Sequence, residues 1–284
     1  MTNHRPEPKN HPGLVIVGDY LFDSTLNGLF DSADAATDII LTEAVKLRRA
    51  RAQQGKPMSD KIDADYFRNY RGQGPYHQVW NQFTDPDYLM KLISIMWDRK
   101  DGYRLLVAGS ASGELVGALR ERGIDAFGVE NNRGIHAKTP EALKPYNYLG
   151  SVVELPFKDN EFDFVFETSL CHIADNRVKK AIAELHRVVN TGVVFGSVTS
   201  DMPPALIDRY DLLRGVKKLG TWWEWSELFF SAGFDLAMHR CDRTDEVWAA
   251  TLAANKGPGN WYADADSLRY SFFDKVVDED EAEA

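Results

Sequence analysis

Three residues with small side chains occupy a short loop, and an acid follows about twenty positions later. Gly109, Ala111 and Gly113 come directly after the apolar run Arg104–Ala108 and before a helical pattern. Because these residues lack bulk, the chain can turn tightly and a ligand can lie against the backbone at the helix N-terminus, where amide groups have no partner. The spacing therefore predicts a strand, a ligand-binding loop and a helix.

Glu130 ends a second apolar run, 126–129. A carboxylate at the tip of the strand beside such a loop can accept hydrogen bonds from the two hydroxyls of a ribose. The loop and the acid together predict a nucleoside-binding site. The pattern of the loop alone fits nicotinamide cofactors as well, so at this point the type of nucleoside stays open.

The elements that position these residues are short apolar runs that alternate with helical patterns. This alternation predicts an α/β fold with a Rossmann-like, mostly parallel sheet covered by helices on both faces. Helices are expected after the glycine loop, over 178–189, where apolar residues mark one face, and over 225–232. The predicted strands cover 104–108, 126–129, 162–166, 192–196, 234–238 and 247–252.

The order of motifs after the second strand resembles that of the class I S-adenosylmethionine-dependent methyltransferases. The resemblance is carried by Leu155-Pro156-Phe157, by EFDFVF at 161–166, and by ELHRVV at 184–189 before Gly192. WSEL at 225–228 and AGF at 232–234 are similar to the late helix and strand of that family. The resemblance covers roughly residues 60 to 254. It implies a seven-stranded sheet, S-adenosyl-L-methionine as cofactor, and methylation of oxygen or nitrogen in a small molecule.

The resemblance also implies the roles of individual residues. The loop Gly109–Gly113 would lie under the methionine part of the cofactor and Glu130 would bind its ribose. Val107 stands where the family often has an acid, and Ser151 stands where it commonly has an aspartate near the adenine. The residues expected to bind the cofactor are Gly109, Ser110, Ala111, Gly113, Glu130, Asn131, Ser151, Val152, Glu167 and Thr168.

Methyl transfer from a sulfonium requires alignment of the reacting atoms more than acid or base catalysis. His172 lies just past the fourth strand, where its ring could take a proton from a hydroxyl or an amine. We therefore predict His172 as the general base, if the reaction uses one. The competing interpretation is a packed or surface histidine.

The segment 14–40 resembles the C-terminal piece of flavin-dependent amine oxidases. Gly18 and Asp19 would end a strand, Gly28 would start a helix, and Ser32-Ala33 would form a close helix contact. The resemblance implies a second interpretation, in which the chain is a subunit that shares FAD with a separate flavin oxidase chain. An ordinary strand, turn and helix is the alternative for this segment, and a nicotinamide-dependent reductase is the third interpretation for the whole chain.

Composition limits the partners of the protein. The chain has 284 residues, with 33 Lys and Arg against 43 Asp and Glu, for a formal charge of -10. Such a charge repels nucleic acid and anionic membranes on average. The N-terminus has no apolar signal sequence, which favours a cytoplasmic protein. Cys171 and Cys241 lack partners at zinc-ligand spacing, so no metal site or disulfide framework is expected.

Three regions are expected along the chain. Residues 1–58 form the flavin oxidase-like segment and a linker, and 59–255 form the methyltransferase domain. Residues 256–284 form a C-terminal extension that ends in DKVVDEDEAEA. Its concentration of acidic residues predicts partial disorder.

Overall fold

The computed structural model describes residues 42, 45–46, 67–69, 74–82, 84–173, 175–201, 220–255 and 270–276. The chain divides into two units, Met1–Gln54 and Gly55–Ala284, and the sheet belongs to the second. The flavin oxidase-like segment, with Gly18, Asp19, Gly28 and Ser32-Ala33, lies outside the described residues.

A single mixed sheet organises the second unit. The described residues place seven strands in the order β3-β2-β1-β4-β5-β7-β6. Neighbouring strands from β3 to β5 pair in parallel, and β7 pairs antiparallel with β5 and with β6. The predicted Rossmann-like, seven-stranded and mostly parallel sheet is therefore confirmed. The strands are β1 Arg104–Ala108, β2 Asp125–Glu130, β3 Asn147–Leu149, β4 Phe162–Glu167, β5 Val189–Phe195, β6 Phe234–Leu236 and β7 Ser271–Lys275.

Helices cover both faces of the sheet. The helix Pro86–Trp97 begins at a side-chain cap, because Asp85 accepts a hydrogen bond from the Asp87 backbone at 2.9 Å and Pro86 takes the first helical position. Within the described ranges, the helices lack the length and the apolar content that a bilayer crossing requires. The helices are α1 Tyr76–Val79, α2 Pro86–Trp97, α3 Glu114–Glu121, α4 Arg133–His136, α5 Asp175–Val188, α6 Trp222–Phe230 and α7 Thr244–Asn255.

The core has two layers because successive side chains of each strand point to opposite faces. Leu106 and Val165 belong to the layer that contains α5 and α6, whereas Leu105 and Phe164 belong to the layer that contains α2, α3 and α7. All four side chains are fully buried. Since β1 is central and its neighbours β2 and β4 are parallel to it, the segments after these three strands meet at one edge of the sheet.

One predicted strand is wrong. Residues 247–252 lie in the helix α7 instead of a strand. Val247, Ala250 and Thr251 are buried at a spacing of three and four residues, which places them on one helical face against α2. The Tyr88 hydroxyl of α2 lies 2.8 Å from the Thr251 hydroxyl. The alanine-rich sequence around Trp248 favours a helix, and that preference decides the local structure.

The last strand of the sheet lies beyond residue 255, where the sequence analysis placed a C-terminal extension. β7 inserts between β5 and β6 with Phe272 and Phe273 buried on opposite faces. Asp274 is also buried, because the Trp97 indole donates to it at 2.6 Å and the Arg240 guanidinium forms an ion pair with it. These partners stabilise an acid in the segment for which the composition predicts partial disorder, and the sheet continues beyond residue 255, where the sequence analysis ended the domain.

Candidate functional site

The loop between β1 and α3 is built from residues with positive φ. Gly109 and Gly113 have φ of 84° and 89°, and Ala111 has φ of 50°. Glycine adopts such angles without steric cost, whereas alanine does so at the cost of some strain. A Cβ on Gly109 would lie 2.8 Å from Cβ of Ser169, so a side chain there would collide with the segment after β4. The predicted tight turn is therefore present, and glycine is required at position 109.

Backbone hydrogen bonds hold this loop to the end of β2. The amides of Gly109 and Ser110 donate to the Val129 carbonyl at 2.9 and 3.1 Å. The Ala111 amide donates to Oε2 of Glu130 at 3.0 Å. The structure thus brings together the loop and the acid that the sequence predicted to lie side by side.

Glu130 also orders the chain that follows β2. Its Oε1 accepts a hydrogen bond from the Asn132 amide at 2.6 Å, and Asn132 in turn caps α4 by accepting from the Ile135 amide at 3.0 Å. Asn131, one of the predicted cofactor residues, lies between them and is exposed. Each carboxylate oxygen can accept more than one hydrogen bond. Glu130 can therefore hold the loop and bind ribose hydroxyls together.

The Asn147 side chain supports the loop from below, and the sequence analysis did not identify it. This residue is 1% exposed at the start of β3. Its Oδ1 accepts from the Ser110 hydroxyl at 2.5 Å, and its Nδ2 donates to the Ala111 carbonyl at 3.2 Å and to Thr139 Oγ1 at 2.8 Å. The hydroxyl of Ser110, a predicted cofactor residue, is thus directed at Asn147. A strand of only three residues that begins with a polar side chain gave no periodic signal that could have revealed it.

The resulting cradle fits an adenosyl cofactor with a methionine part. The amides in the first turn of α3 have no acceptor within the helix, so this N-terminus favours an anionic group such as the methionine carboxylate. Gly109 and Gly113 keep the backbone accessible, and Glu130 supplies a carboxylate at the adjacent strand tip. This set of groups can accommodate a nucleoside that carries a chain with a carboxylate.

The segment that we expect to contact the adenine ring follows β3. Ser151 is half-buried and its hydroxyl accepts a hydrogen bond from the Val153 amide at 3.4 Å. Val152 is 8% exposed and packs into the core layer of Val129 and Leu106. The structure therefore places both residues after β3, the strand next to Glu130.

Two residues of helix α5 hold the Leu155-Pro156-Phe157 turn, which follows Ser151 and Val152 in the chain. Glu184 accepts from the Leu155 amide at 2.6 Å. Arg187 donates to the Leu155 carbonyl at 3.2 Å and to the Phe157 carbonyl at 2.9 Å. Arg187 and Glu184 also form an ion pair with a Nε–Oε1 distance of 2.8 Å. The ELHRVV motif thus has a physical purpose, because it holds the Leu-Pro-Phe turn in place.

At the end of β4, Glu167 is fully buried. Burial raises the pKa of its carboxyl group to about 7, although hydrogen bonds from Ser169, Ser197 and Leu170 lower it. Thr168 follows at the same edge, half-buried, and its amide donates to the Ala108 carbonyl at 3.4 Å. Glu167 has no exposed surface in this structure, and its expected contact with the cofactor stays a prediction. Thr168 remains at the edge.

His172 ends the short 3-10 turn Leu170–His172, directly after the segment that contacts Gly109. It is half-buried, and its amide donates to the Ser169 carbonyl at 3.0 Å. The predicted base thus lies on the β4 side of the cradle.

The sequence analysis missed three polar residues near the cradle, Ser169, Ser197 and Asn147. The two serines belong to no motif that could have identified them.

Among the described residues, no group of three or more His, Cys, Asp or Glu side chains could hold a metal ion. Cys171 and Cys241 are not joined to each other by a disulfide bond.

A comparison with models of protein families supports the site geometry. Residues 106–195 match a family model described as "Methyltransferase domain". A search of curated proteins finds no match. The match to the methyltransferase family model favours a methyltransferase over a nicotinamide-dependent reductase, because the matched residues run from β1 to β5 and include the loop and Glu130.

Solved structures with a similar fold share little sequence with this chain. Phosphoethanolamine N-methyltransferase 2 of Haemonchus contortus, in complex with phosphomonomethylethanolamine and S-adenosylhomocysteine, is 15% identical over 78% of this chain and 61% of its own, with a TM-score of 0.49. A SAM-dependent methyltransferase of Thermotoga maritima is 19% identical over 56% of this chain and 80% of its own, with a TM-score of 0.40. The YcgJ protein of Bacillus subtilis is 14% identical over 68% and 98%, with a TM-score of 0.44.

Proposed function

We propose that this chain is a class I S-adenosylmethionine-dependent methyltransferase, which the match of residues 106–195 to a methyltransferase domain supports, and that it transfers the methyl group to an oxygen or nitrogen of a small molecule. The observation that carries the proposal is the hydrogen bond from the Ala111 amide to Glu130 Oε2. It joins a glycine loop, a helix N-terminus and a ribose acceptor into one cradle.

The role of the protein in the reaction is mainly to orient. S-adenosylmethionine supplies an electrophilic methyl group on its sulfonium. The loop Gly109–Gly113 would hold the methionine part, Glu130 the ribose, and Ser151 and Val152 the adenine edge. Asn131 would lie at the ribose side and Thr168 at the methionine or acceptor side. Holding the acceptor in line at short range can lower the activation free energy by on the order of 7 kcal/mol.

His172 is proposed to accept the proton of a hydroxyl or amine acceptor. It belongs to the 3-10 turn after β4, in which the His172 amide donates to the Ser169 carbonyl and the Ile173 amide donates to the Leu170 carbonyl, each at 3.0 Å. A neutral imidazole is a suitable base near neutral pH. Replacement by Gln would slow methylation of a hydroxyl or ammonium acceptor and leave cofactor affinity unchanged.

Charge supports a small-molecule acceptor in preference to a nucleic acid. The formal charge is -10, and a polyanion gains little from a surface with excess carboxylates. Incubation of the purified protein with methyl-labelled S-adenosylmethionine and a fractionated cell extract tests this. We expect label in the small-molecule fraction, and label confined to the RNA or protein fraction would contradict the proposal.

Cofactor identity is tested by calorimetric titration with S-adenosylmethionine, S-adenosylhomocysteine and NADH. We expect binding of the first two and none of NADH. Glu130→Ala should raise the dissociation constant at least tenfold, because hydrogen bonds to a charged group contribute about 1.5–3 kcal/mol each. Glu141→Ala is the matched control, since Glu141 is an exposed acid paired with Lys144 away from the loop. Equal affinities for both variants would contradict the proposed ribose contact.

A further inference from the structure

We infer that Glu167 is a positioning residue that joins the segments after β4 and β5 and thereby sets the place of Ser169 against the cofactor loop. The inference rests on the proposed function, because the loop matters only if it holds a cofactor. Glu167 itself is 0% exposed in this structure.

The first carboxyl oxygen of Glu167 organises the segment after β4. Oε1 accepts hydrogen bonds from the amides of Ser169 and Leu170, the latter at 2.5 Å, and from the Ser169 hydroxyl at 3.1 Å. Three donors on one oxygen resemble the capping of a helix start, here of the 3-10 turn Leu170–His172. The backbone at Ser169 is therefore fixed by a side chain of the preceding strand.

The second oxygen reaches across to β5. Oε2 lies 3.0 Å from the hydroxyl of Ser197, which also accepts from the Cys171 amide at 3.3 Å. The Glu167 carbonyl accepts from the Gly196 amide at 2.7 Å. Ser197 is 1% exposed, so these bonds form in a water-poor environment where leaving one unmade is costly. The carboxyl group thus ties two segments at the same edge of the sheet.

Ser169 links the hydrogen bonds of Glu167 to the loop Gly109–Gly113. Its Cβ would be 2.8 Å from a Cβ on Gly109, and its Oγ 3.3 Å from it. The space above Gly109 is therefore bounded by Ser169, and Glu167 determines where Ser169 lies. If Glu167 were removed, the segment could move towards or away from the loop, and the fit of the cofactor would change.

The experiment combines S-adenosylmethionine titration with amide hydrogen exchange on the full chain. Glu167→Ala should weaken binding about tenfold and increase exchange at the Ser169 and Leu170 amides. Ser197→Ala, which keeps the carboxyl group but removes its β5 partner, should weaken binding severalfold. Glu167→Gln should restore both readouts, because its amide oxygen can accept from Ser169 and Leu170 while its NH2 group donates to Ser197.

Asp274→Ala is the matched control, as Asp274 is a buried acid of β7 that is paired with Trp97 and Arg240 and lies opposite Gly192 of β5. It should lower the melting temperature without changing affinity. The inference is overturned if folded Ser197→Ala and Glu167→Ala bind as well as wild type with their amides still protected. If wild-type protein binds no S-adenosylmethionine, the proposed function fails, and the exchange data alone still decide whether Glu167 orders Ser169 and Leu170.

Discussion

The Ser110 hydroxyl donates to Oδ1 of Asn147 at 2.5 Å, and this bond attaches the loop Gly109–Gly113 to the third strand. Both side chains are buried, and Asn147 Nδ2 also donates to the Ala111 carbonyl. The loop that we propose to hold the cofactor is thus fixed by the Asn147 side chain.

Asn147→Ala should destabilise the domain by about 2 kcal/mol, because it leaves the buried Ser110 hydroxyl and Thr139 hydroxyl without this partner. Equilibrium unfolding in urea measures the change. Ser110→Ala combined with Asn147→Ala should cost less than the two single changes summed, since they remove the same bond. Strict additivity would contradict the pairing.

Gly128→Ala should destabilise the domain more than an ordinary glycine-to-alanine substitution does, because the added Cβ has no space. A Cβ there would lie 2.3 Å from Asn147 Oδ1 and 2.6 Å from Ser110 Cβ, so both must shift. We expect a loss of at least about 2 kcal/mol, within the range for overpacking. Gly123→Ala is the comparison: it has φ of 84° but no atom within 4 Å, so only backbone strain of about 1 kcal/mol is expected. Urea unfolding of both should rank them in that order, and equal losses would argue against steric crowding at position 128.

Glu167 should make stability depend on pH. Its pKa is raised from 4.5 to about 7 in the folded protein, since desolvation outweighs the hydrogen bonds to its oxygens. An acid with a raised pKa contributes stability that is complete below 4.5 and is lost as the pH rises through 7. The loss should approach roughly 3 kcal/mol.

Glu167→Gln isolates this effect, because every other titrating group is shared with the wild type. Urea unfolding of both proteins from pH 4.5 to 8 should show the variant gaining stability relative to wild type as the pH rises. A difference that does not vary with pH would mean that the carboxyl group keeps an ordinary pKa.

Ser151→Asp should strengthen cofactor binding. An aspartate can accept from the Val153 amide, as the Ser151 hydroxyl does at 3.4 Å, and can also accept from the adenine amino group. One hydrogen bond to a charged acceptor contributes about 1.5 kcal/mol, or roughly a tenfold lower dissociation constant. Calorimetry with S-adenosylhomocysteine measures it, and Ser151→Asn should give a smaller gain. Weaker binding by the aspartate variant would place the adenine elsewhere.

Arg187→Lys should destabilise the Leu-Pro-Phe turn by about 2 kcal/mol, because one ammonium cannot reproduce the fork that serves Leu155, Phe157 and Glu184. Thermal unfolding measures the loss. Arg122→Lys is the control, since Arg122 pairs with the exposed Asp87 and surface ion pairs contribute little. Comparable losses in the two variants would mean that Arg187 acts as an ordinary surface charge.

The amino-acid sequence by itself determined the elements whose periodicity is strong. The strand Arg104–Ala108, its glycine loop and the acid Glu130 are local features, because small residues and continuous apolar runs have few alternative structures. The motif order likewise indicated the sheet and the cofactor class, and the domain match at 106–195 agrees.

Only the tertiary structure decided the features that depend on partners distant along the chain. Trp97 and Arg240 contact the buried Asp274, and the Glu167 carboxyl group accepts a hydrogen bond from Ser197, which follows the neighbouring strand β5. Pattern within a segment carries no information about such partners. A buried polar side chain is specified by what surrounds it, and that is known only when the strands have been placed side by side.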